Sequence, residues 1–140
     1  MIIVDTNVVS EPFRPRPSEA VGEWLNRQQA SNLFLTTVSV AELYRGIAIL
    51  PDGRRKQELK KDTDRFRNDF FGGRILAFDV EDAFAYADLT AKTRALGISM
   101  SFADAQIAAI AATHGFSVAT RDTGPFTAAG VNVINPWTER

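Results

Sequence analysis

The feature that most constrains this chain is a run of three β-branched residues at its start, Ile2–Val4, followed directly by Asp5. Such an apolar run is typical of a strand that is buried on both faces in the middle of a parallel sheet. Thr6 and Asn7 then suit a turn or the start of a helix. Because parallel sheets bind ligands at the carboxyl ends of their strands, Asp5 is predicted to lie in a binding crevice.

Further apolar runs alternate with helical patterns along the rest of the chain. The runs predict four more strands at Leu33–Leu35, Ile75–Phe78, Ser117–Ala119 and Val131–Ile134. Helical spacing predicts helices over about 18–29, 39–50, 54–71, 80–96 and 101–114. This alternation predicts an α/β fold, a three-layer α/β/α sandwich with a mainly parallel central sheet of about five strands. No repeat or linker divides the 140 residues, so a single domain over 1–140 is expected.

The composition restricts the chemistry that the chain can support. There is no cysteine and His114 is the only histidine, so a metal site must use oxygen ligands, which suits Mg²⁺ or Mn²⁺. The net charge of −1 gives no global argument for nucleic-acid binding. No signal-peptide pattern and no apolar run near the roughly 18 residues of a membrane span is visible, so we expect a cytoplasmic protein without a membrane partner.

Four acids lie at predicted strand ends or in the first turns of predicted helices and are expected to share one edge of the sheet. Asp5 ends the first strand, Glu42 and Asp104 are predicted in the first turns of helices, and Asp122 follows the fourth strand. Four carboxylates at one edge repel each other unless a divalent cation neutralises them, so this placement predicts a metal site. Asp79 also follows a strand, and spacing alone does not separate it from the four.

Each of these acids also has a structural interpretation. Ser39–Glu42 and Ser101–Asp104 both have the spacing of a capping box, in which the acid binds the first amide of its own helix. Asp122 is placed to cap a short helix over 123–128, and Asp5 to stabilise a turn. At the level of spacing, both interpretations stay open.

Four segments of the chain carry a more specific pattern: Ile3–Asn7, Ser39–Leu43 with Gly46, Ser101–Ala108, and Ala119–Asp122 followed by Phe126. In this order and spacing they resemble the PIN-domain nucleases, and more closely the VapC-type toxins of bacterial toxin–antitoxin pairs. The resemblance covers essentially the whole chain.

The resemblance implies that Asp5, Glu42, Asp104 and Asp122 form an acidic pocket for Mg²⁺, with Mn²⁺ as a substitute, and it leaves Asp79 outside. Thr120 and Asn7 match polar positions near that pocket and are given supporting roles. Many relatives carry another acid just before the phenylalanine of the last motif, where this chain has Gly124 and Pro125. One metal ion and two therefore both remain possible.

The activity implied by the resemblance is hydrolysis of RNA phosphodiester bonds by an endoribonuclease toxin. A cation held by carboxylates lowers the pKa of water and stabilises charge on the leaving oxygen. Asp5 and Asp104 are the first choices for direct ligands, whereas Glu42 and Asp122 bind through water or position the nucleophile. His114 lies at the far end of its helix, where it is expected to interact with the helix C-terminus instead of acting as a base.

An acidic pocket repels phosphate, so cations are expected around its rim. Candidates for RNA contacts near the motifs are Arg14, Arg16, Arg45 and Arg121. The basic helix over 54–67 is interpreted either as a further RNA contact or as an ordinary solvated face.

The family also implies a homodimer, a cognate VapB-like antitoxin that covers or enters the site, and higher-order complexes with it. One set of apolar side chains is a candidate for a shared dimer and antitoxin surface or, alternatively, for ordinary core: Leu43, Tyr44, Ile47, Phe66 and Phe70. Competing functions are a PIN-type nuclease of RNA processing or repair without an antitoxin, a non-catalytic PIN-like binding module, and a phosphatase or response-regulator-like α/β domain with an acidic pocket.

Overall fold

The central sheet confirms the predicted fold class. The computed structural model describes residues 1–139, and its five strands lie in the order β3-β2-β1-β4-β5, with every neighbouring pair parallel. The strands are β1 (Ile2–Val4), β2 (Leu33–Thr36), β3 (Ile75–Leu76), β4 (Ser117–Ala119) and β5 (Val133–Ile134). The two edge strands are shorter than predicted, because only their paired residues are extended. The first strand is therefore the centre of the sheet, as its uninterrupted apolar run indicated.

Alternation along β1 divides the core into two layers, one on each face of the sheet. Ile3 packs into a cluster with Ile107 and Phe126, whereas the next residue, Val4, packs into a second cluster with Trp24 and others. Successive side chains of a strand point to opposite faces, so the two clusters lie on opposite sides. Both Ile3 and Val4 are fully buried. The sheet is thus covered on both faces, which gives the three-layer sandwich.

Seven α-helices connect and cover the strands within residues 1–139. They are α1 (Thr6–Ser10), α2 (Glu19–Arg27), α3 (Thr37–Ala48), α4 (Arg54–Phe66), α5 (Val80–Ala95), α6 (Phe102–His114) and α7 (Thr123–Ala128). A π-helical turn, Arg67–Phe71, continues α4 and ends at Gly72, whose φ of 56° suits glycine. None of the helices in this part of the chain has the length and apolarity needed to cross a membrane.

The start of α3 corrects one prediction. The N-cap is Thr36, whose hydroxyl accepts a hydrogen bond of 3.1 Å from the Ser39 amide, so the helix begins two residues before the predicted Ser39. Glu42 is therefore the sixth helical residue and lies in the second turn, not in the first. At that position it does not cap the helix, and the capping-box interpretation of Ser39–Glu42 is wrong.

The apolar spacing seen in α5 lies on the outer side of the helix. Val80 is 68% and Phe84 65% exposed, and Ala87, Ala91 and Ala95 continue this exposed face. The buried residues of α5 are instead Asp82, Leu89 and Thr93. Apolar residues at helical spacing therefore do not mark the buried side of α5, because burial depends on which side packs against α6.

The residues proposed either for a shared dimer and antitoxin surface or for core are partly packed within the monomer. Ile47 is 5% exposed, while Leu43, Phe66 and Phe70 are half-buried and pack against the cluster that contains Val4. The hydroxyl of the half-buried Tyr44 donates a hydrogen bond of 2.5 Å to Asp64 on α4. Leu43 and Ile47 also line an open groove beside Thr6 and Glu42, so both interpretations stay open.

Candidate active site

Asp5 is held at the carboxyl end of the central strand by hydrogen bonds to both of its carboxylate oxygens. It is 3% exposed. Its Oδ1 accepts a bond of 2.7 Å from the Thr6 amide, which caps α1, and its Oδ2 accepts one of 2.8 Å from the hydroxyl of the buried Thr120. Asp5 therefore stabilises the turn as one interpretation predicted, and Thr120 lies in direct contact with it.

Glu42 reaches the same region from α3 through a hydrogen bond that the sequence did not suggest. Its Oε1 accepts a bond of 2.7 Å from the hydroxyl of Thr6, whose oxygen lies 2.9 Å from the Ser39 hydroxyl oxygen, within hydrogen-bond distance. The sequence reasoning assigned no role to Thr6. Its position directly after Asp5 could have indicated a role, because the first residue of a helix beside a buried carboxylate lies close to the other side chains of the site.

Asp104 and Asp122 belong to the starts of α6 and α7. The amide of Asp104 donates to the Ser101 hydroxyl at 3.1 Å, so Ser101 caps α6, and Asp104 itself is half-buried in the first turn. Asp122 is exposed at the start of α7, where its side chain makes no capping hydrogen bond, although its amide donates to Thr120 at 3.1 Å. Capping therefore does not account for the carboxylate of Asp122.

Together these side chains line one cleft of about 400 Å³. We call it the acidic cleft, and its lining residues are Asp5, Thr6, Asn7, Ser10, Glu42, Ser101, Asp104 and Asp122. All four acids grouped in the sequence analysis are present, contributed by segments that are far apart in the chain. Asp79 is not among them. It forms a reciprocal capping box with Asp82, with hydrogen bonds of 2.9 and 3.2 Å, which accounts for its position after a strand.

Burial, together with nearby carboxylates, raises the pKa of two members of the cleft. Burial raises the pKa of Asp5 from 3.8 to about 6, helped by the charges of Asp104 and Glu42 and opposed by the hydrogen bonds from Thr120 and Thr6. Burial also raises the pKa of Asp104, followed by the charges of Asp122 and Glu42, while Ser101 opposes the shift. Ionisation of all the acids in the cleft therefore destabilises the folded protein, and a positive charge in the cleft would offset this loss of stability.

The donor set of the cleft fits a hard divalent cation. Its acidic ligands supply only oxygen, and the buried side-chain oxygen of Asn7 has no hydrogen-bond partner within residues 1–139, which makes it a further oxygen donor. In that part of the chain, no three acidic or histidine side chains are already arranged as a metal-binding cluster. Glu42 and Asp122 are the two exposed acids of the cleft.

The arginines predicted to contact RNA lie outside the acidic cleft. Arg16, Arg45 and Arg121 are exposed, and the guanidinium of Arg121 stacks 5.0 Å from the Trp137 ring. Arg14 lies next to the cleft, in a neighbouring groove, and its Nη1 is 3.5 Å from Oε2 of the buried Glu11. None of the four arginines contributes to the lining of the cleft itself.

The basic helix α4 carries much of its charge in local ion pairs. They are Arg54 with Glu58 at 2.9 Å, Lys56 with Asp52 at 3.2 Å, and Lys60 with Asp64 at 3.0 Å. Pairs at i,i+4 on an exposed helix are typical of a solvated face.

His114 lies at the end of α6, with its Nδ1 2.9 Å from the Ile110 carbonyl oxygen. This is the predicted contact with the helix C-terminus. The ring is an entire helix away from Asp104, so it takes no part in the cleft.

Three known proteins are similar to this chain over nearly all of their length. The family model described as PIN domain matches residues 2–131. The plasmid stability protein StbB of Pseudomonas syringae pv. tomato is 51% identical over 137 residues, which are 98% of this chain and 99% of that protein. The VapC ribonuclease Y4jK of Sinorhizobium fredii is 43% identical, covering 98% of both chains. The toxin FitB of Neisseria gonorrhoeae is 44% identical, covering 98% of this chain and 99% of that one.

The fold is also similar to a solved structure. The crystal structure of FitAcB from Neisseria gonorrhoeae superposes with a TM-score of 0.94 at 43% identity, covering 99% of this chain and 100% of the other. Agreement at this level includes the connections between strands as well as the sheet.

Proposed function

The chain belongs to the PIN domain family, and we propose that it is a metal-dependent endoribonuclease that acts as the toxin of a toxin–antitoxin pair. One observation carries the proposal: Asp5, Glu42, Asp104 and Asp122 come from four separate segments and line one cleft. Two relatives above 40% identity, named a VapC ribonuclease and the toxin FitB, support the reaction and the biological role. RNA is accordingly the proposed substrate, and the cytoplasm the proposed place of action.

The carboxylates of the cleft would hold Mg²⁺, or Mn²⁺ in its place. When bound, such an ion activates water for in-line attack on a phosphodiester and stabilises the charge of the leaving oxygen. Asp5 and Asp104 are the proposed direct ligands, because both are at least partly buried and have raised pKa values that a nearby cation would lower again. Glu42 and Asp122 are exposed and suit binding through water or positioning of the nucleophile.

The remaining residues of the site orient these carboxylates. The Thr120 hydroxyl donates to one oxygen of Asp5 and the Thr6 amide to the other, so the carboxylate has a fixed direction. The Thr6 hydroxyl holds Glu42 in the same way from the other side. Such outer contacts commonly tune metal affinity and activity by 10- to 100-fold. Asn7 is proposed as a supporting oxygen donor.

Regulation by a partner and self-association complete the proposal. A cognate antitoxin of the VapB type would silence the enzyme by covering the acidic cleft. The chain is proposed to form a homodimer, and larger assemblies with the antitoxin. The exposed apolar face of α5, which includes Val80 and Phe84, is a better candidate for such contacts than the half-buried Leu43 and Phe66.

Cleavage of labelled total RNA by the purified protein tests the proposed reaction. We expect discrete products with Mg²⁺ or Mn²⁺ that disappear with EDTA and in the Asp5→Asn and Asp104→Asn variants. Asp88→Asn, an exposed aspartate on α5 outside the cleft, is the matched control and should cleave like the wild type. Activity that survives in a folded Asp5→Asn or Asp104→Asn variant would contradict the assignment of that residue. No cleavage by the wild type under any of these conditions would favour a non-catalytic PIN-like binding module.

A further inference from the structure

The side chain of Arg121 begins between two residues of the active site. Thr120 on one side donates a hydrogen bond of 2.8 Å to the buried Asp5, and Asp122 on the other side lines the acidic cleft. Consecutive Cα atoms are only about 3.8 Å apart, so Arg121 leaves the backbone at the edge of the cleft. Its exposed side chain nevertheless does not line the cleft. The position of this cation is therefore set by a contact outside the cleft.

That contact is with Trp137, in the turn that follows β5. The Thr120 amide donates a hydrogen bond of 2.9 Å to the Ile134 carbonyl, which brings the end of β5 beside Arg121. The Asn135 side chain then accepts a hydrogen bond of 3.0 Å from the Trp137 amide. The ring of Trp137 is half-buried against one of the two core clusters. The central carbon of the Arg121 guanidinium lies 5.0 Å from the centroid of this ring, which is the geometry of a cation–π interaction.

Stacking on Trp137 keeps Arg121 apart from the acids beside it. Among residues 1–139, none of the four acids of the cleft forms an ion pair with a lysine or an arginine. This includes Asp122, although Arg121 directly precedes it in the chain. A guanidinium inside the cleft would neutralise the carboxylates and compete with a metal ion for them. The stacked arrangement leaves the carboxylates to a metal ion and directs the guanidinium to an anion outside the cleft.

A phosphate of the RNA strand is the anion that suits this position. Stacking occupies the flat face of a guanidinium, whereas its N–H groups point outward in its plane, where they bind phosphate oxygens in pairs. The cleft is acidic and repels the RNA backbone, so binding of the strand requires cations at the edge of the cleft. Arg121 is attached to that edge directly, because both of its neighbours in the chain belong to the site.

We propose that Trp137 is a positioning residue for RNA cleavage, which holds the Arg121 guanidinium outside the acidic cleft, where it binds a phosphate of the RNA strand. This inference rests on the ribonuclease function proposed above. Arg121 contributes to the affinity for the strand, and Trp137 acts only through Arg121. An arginine stacked on the protein surface without a role in binding is the alternative, and the two differ in how salt affects RNA binding.

The test measures how strongly salt weakens binding of a short fluorescent single-stranded RNA oligonucleotide, by anisotropy in EDTA so that the probe stays intact. For a single strand, each phosphate that a protein neutralises adds about 0.7 to the steepness of the plot of log K against log salt concentration. We expect Arg121→Gln to reduce this steepness by about 0.7. Trp137→Leu should reduce it equally although it removes no charge, an effect that a purely structural role of the ring would not produce.

Three further variants sharpen the comparison. Trp137→Phe keeps an aromatic face for the guanidinium, so it should retain most of the wild-type salt dependence. Arg27→Gln removes the same charge from an exposed position in the last turn of α2 and should leave the salt dependence unchanged. Arg121→Gln combined with Trp137→Leu should lose no more than either change alone, because both remove one contact. Circular dichroism establishes that each variant is folded.

Three results would overturn the inference. One is wild-type salt dependence in Arg121→Gln, and the second is wild-type salt dependence in a folded Trp137→Leu or a loss in Trp137→Phe as large as in Trp137→Leu. The third is a wild type that does not bind the RNA. Failure of the proposed function is separately visible, because the binding is measured in EDTA. It would appear as the expected salt dependence without any cleavage when Mg²⁺ or Mn²⁺ is added.

Discussion

Two groups of aspartates lie at the starts of helices in this chain, and their surroundings differ in the folded protein. Asp79 and Asp82 exchange hydrogen bonds with each other's amides at the start of α5, so their charge is satisfied within one helix end. Asp5 and Asp104 lie at equivalent places after β1 and at the start of α6, yet they face a cleft that also contains Glu42 and Asp122. The first group stabilises the fold, whereas ionisation of the second group destabilises it.

Structural and functional acids differ in the effect that their ionisation has on the stability of the fold. A carboxylate that accepts hydrogen bonds from the amides of its own helix stabilises that helix when it is ionised. Ionisation of a buried carboxylate that is surrounded by others destabilises the folded protein. Such an arrangement is typical of a functional site, where a bound cation would offset the repulsion. Substitutions in the two groups should therefore have opposite effects on stability and activity.

The largest effect expected is a pH-dependent gain of stability on replacing Asp5 by asparagine. The pKa of Asp5 in the folded protein is about 6 against 3.8 for the ordinary side chain, so the folded state binds the extra proton between these values. The contribution of Asp5 to the stability of the wild type therefore falls by about 3 kcal/mol as pH rises from about 4 through 6, and it levels off above the folded-state pKa. Urea unfolding in EDTA should show the free-energy difference between Asp5→Asn and wild type growing across this interval.

The same titration provides its own control. The Asp88→Asn variant should follow the wild type at every pH, since Asp88 is exposed. A difference between Asp5→Asn and wild type that stays constant from pH 4 to 7 would show that Asp5 titrates normally and that the cleft is not strained.

A smaller effect is expected for Asp82→Ala, in the stabilising group. Asp82 is 1% exposed, accepts a hydrogen bond from the Asp79 amide and also accepts one from the Thr113 hydroxyl of α6. Its loss removes a cap and leaves polar groups without partners, so the free energy of unfolding should fall by about 2 kcal/mol. Cleavage of RNA by the folded variant should be unchanged, as measured below its unfolding temperature. A selective loss of cleavage would place Asp82 in the wrong group.

The smallest effect expected is on activity alone, from Thr6→Val. This change removes the hydroxyl that donates to Glu42 at 2.7 Å but keeps the size of the side chain. Cleavage should slow by about tenfold, as for other residues that orient a metal-binding carboxylate. Thr6→Ser, which keeps the hydroxyl, should restore most of the rate. Equal rates in Thr6→Val and Thr6→Ser would mean that the hydroxyl does not position Glu42.

Much of the fold followed from local patterns in the sequence. The run Ile2–Val4 predicted the central strand because only a strand buried on both faces tolerates continuous apolar residues. The positions of Asp5 and Asp122 after strands predicted that they converge, because all strands of the sheet are parallel. Asp104 reaches the same cleft from the first turn of α6, which follows another helix.

The features that could not be predicted depend on contacts between distant segments. The hydrogen bond from Thr6 to Glu42 joins residues of α1 and α3, and no local pattern specifies it. The start of α3 at Thr37 differs from the predicted Ser39 because its N-cap, Thr36, is also the last residue of β2. Burial in α5 was ambiguous for the same reason, since Phe84 has helical spacing but lies away from α6.

The most direct test of the account is the effect of Mg²⁺ or Mn²⁺ on thermal unfolding, measured by calorimetry for wild type, Asp104→Asn and Asp79→Asn. Binding to the folded state alone stabilises it by about 2.7 kcal/mol at 100 times the dissociation constant. We predict an increase of several degrees in Tm for the wild type and for Asp79→Asn, and its loss in Asp104→Asn. Equal shifts in all three proteins, or no shift in the wild type, would contradict the claim that the acidic cleft is a metal site.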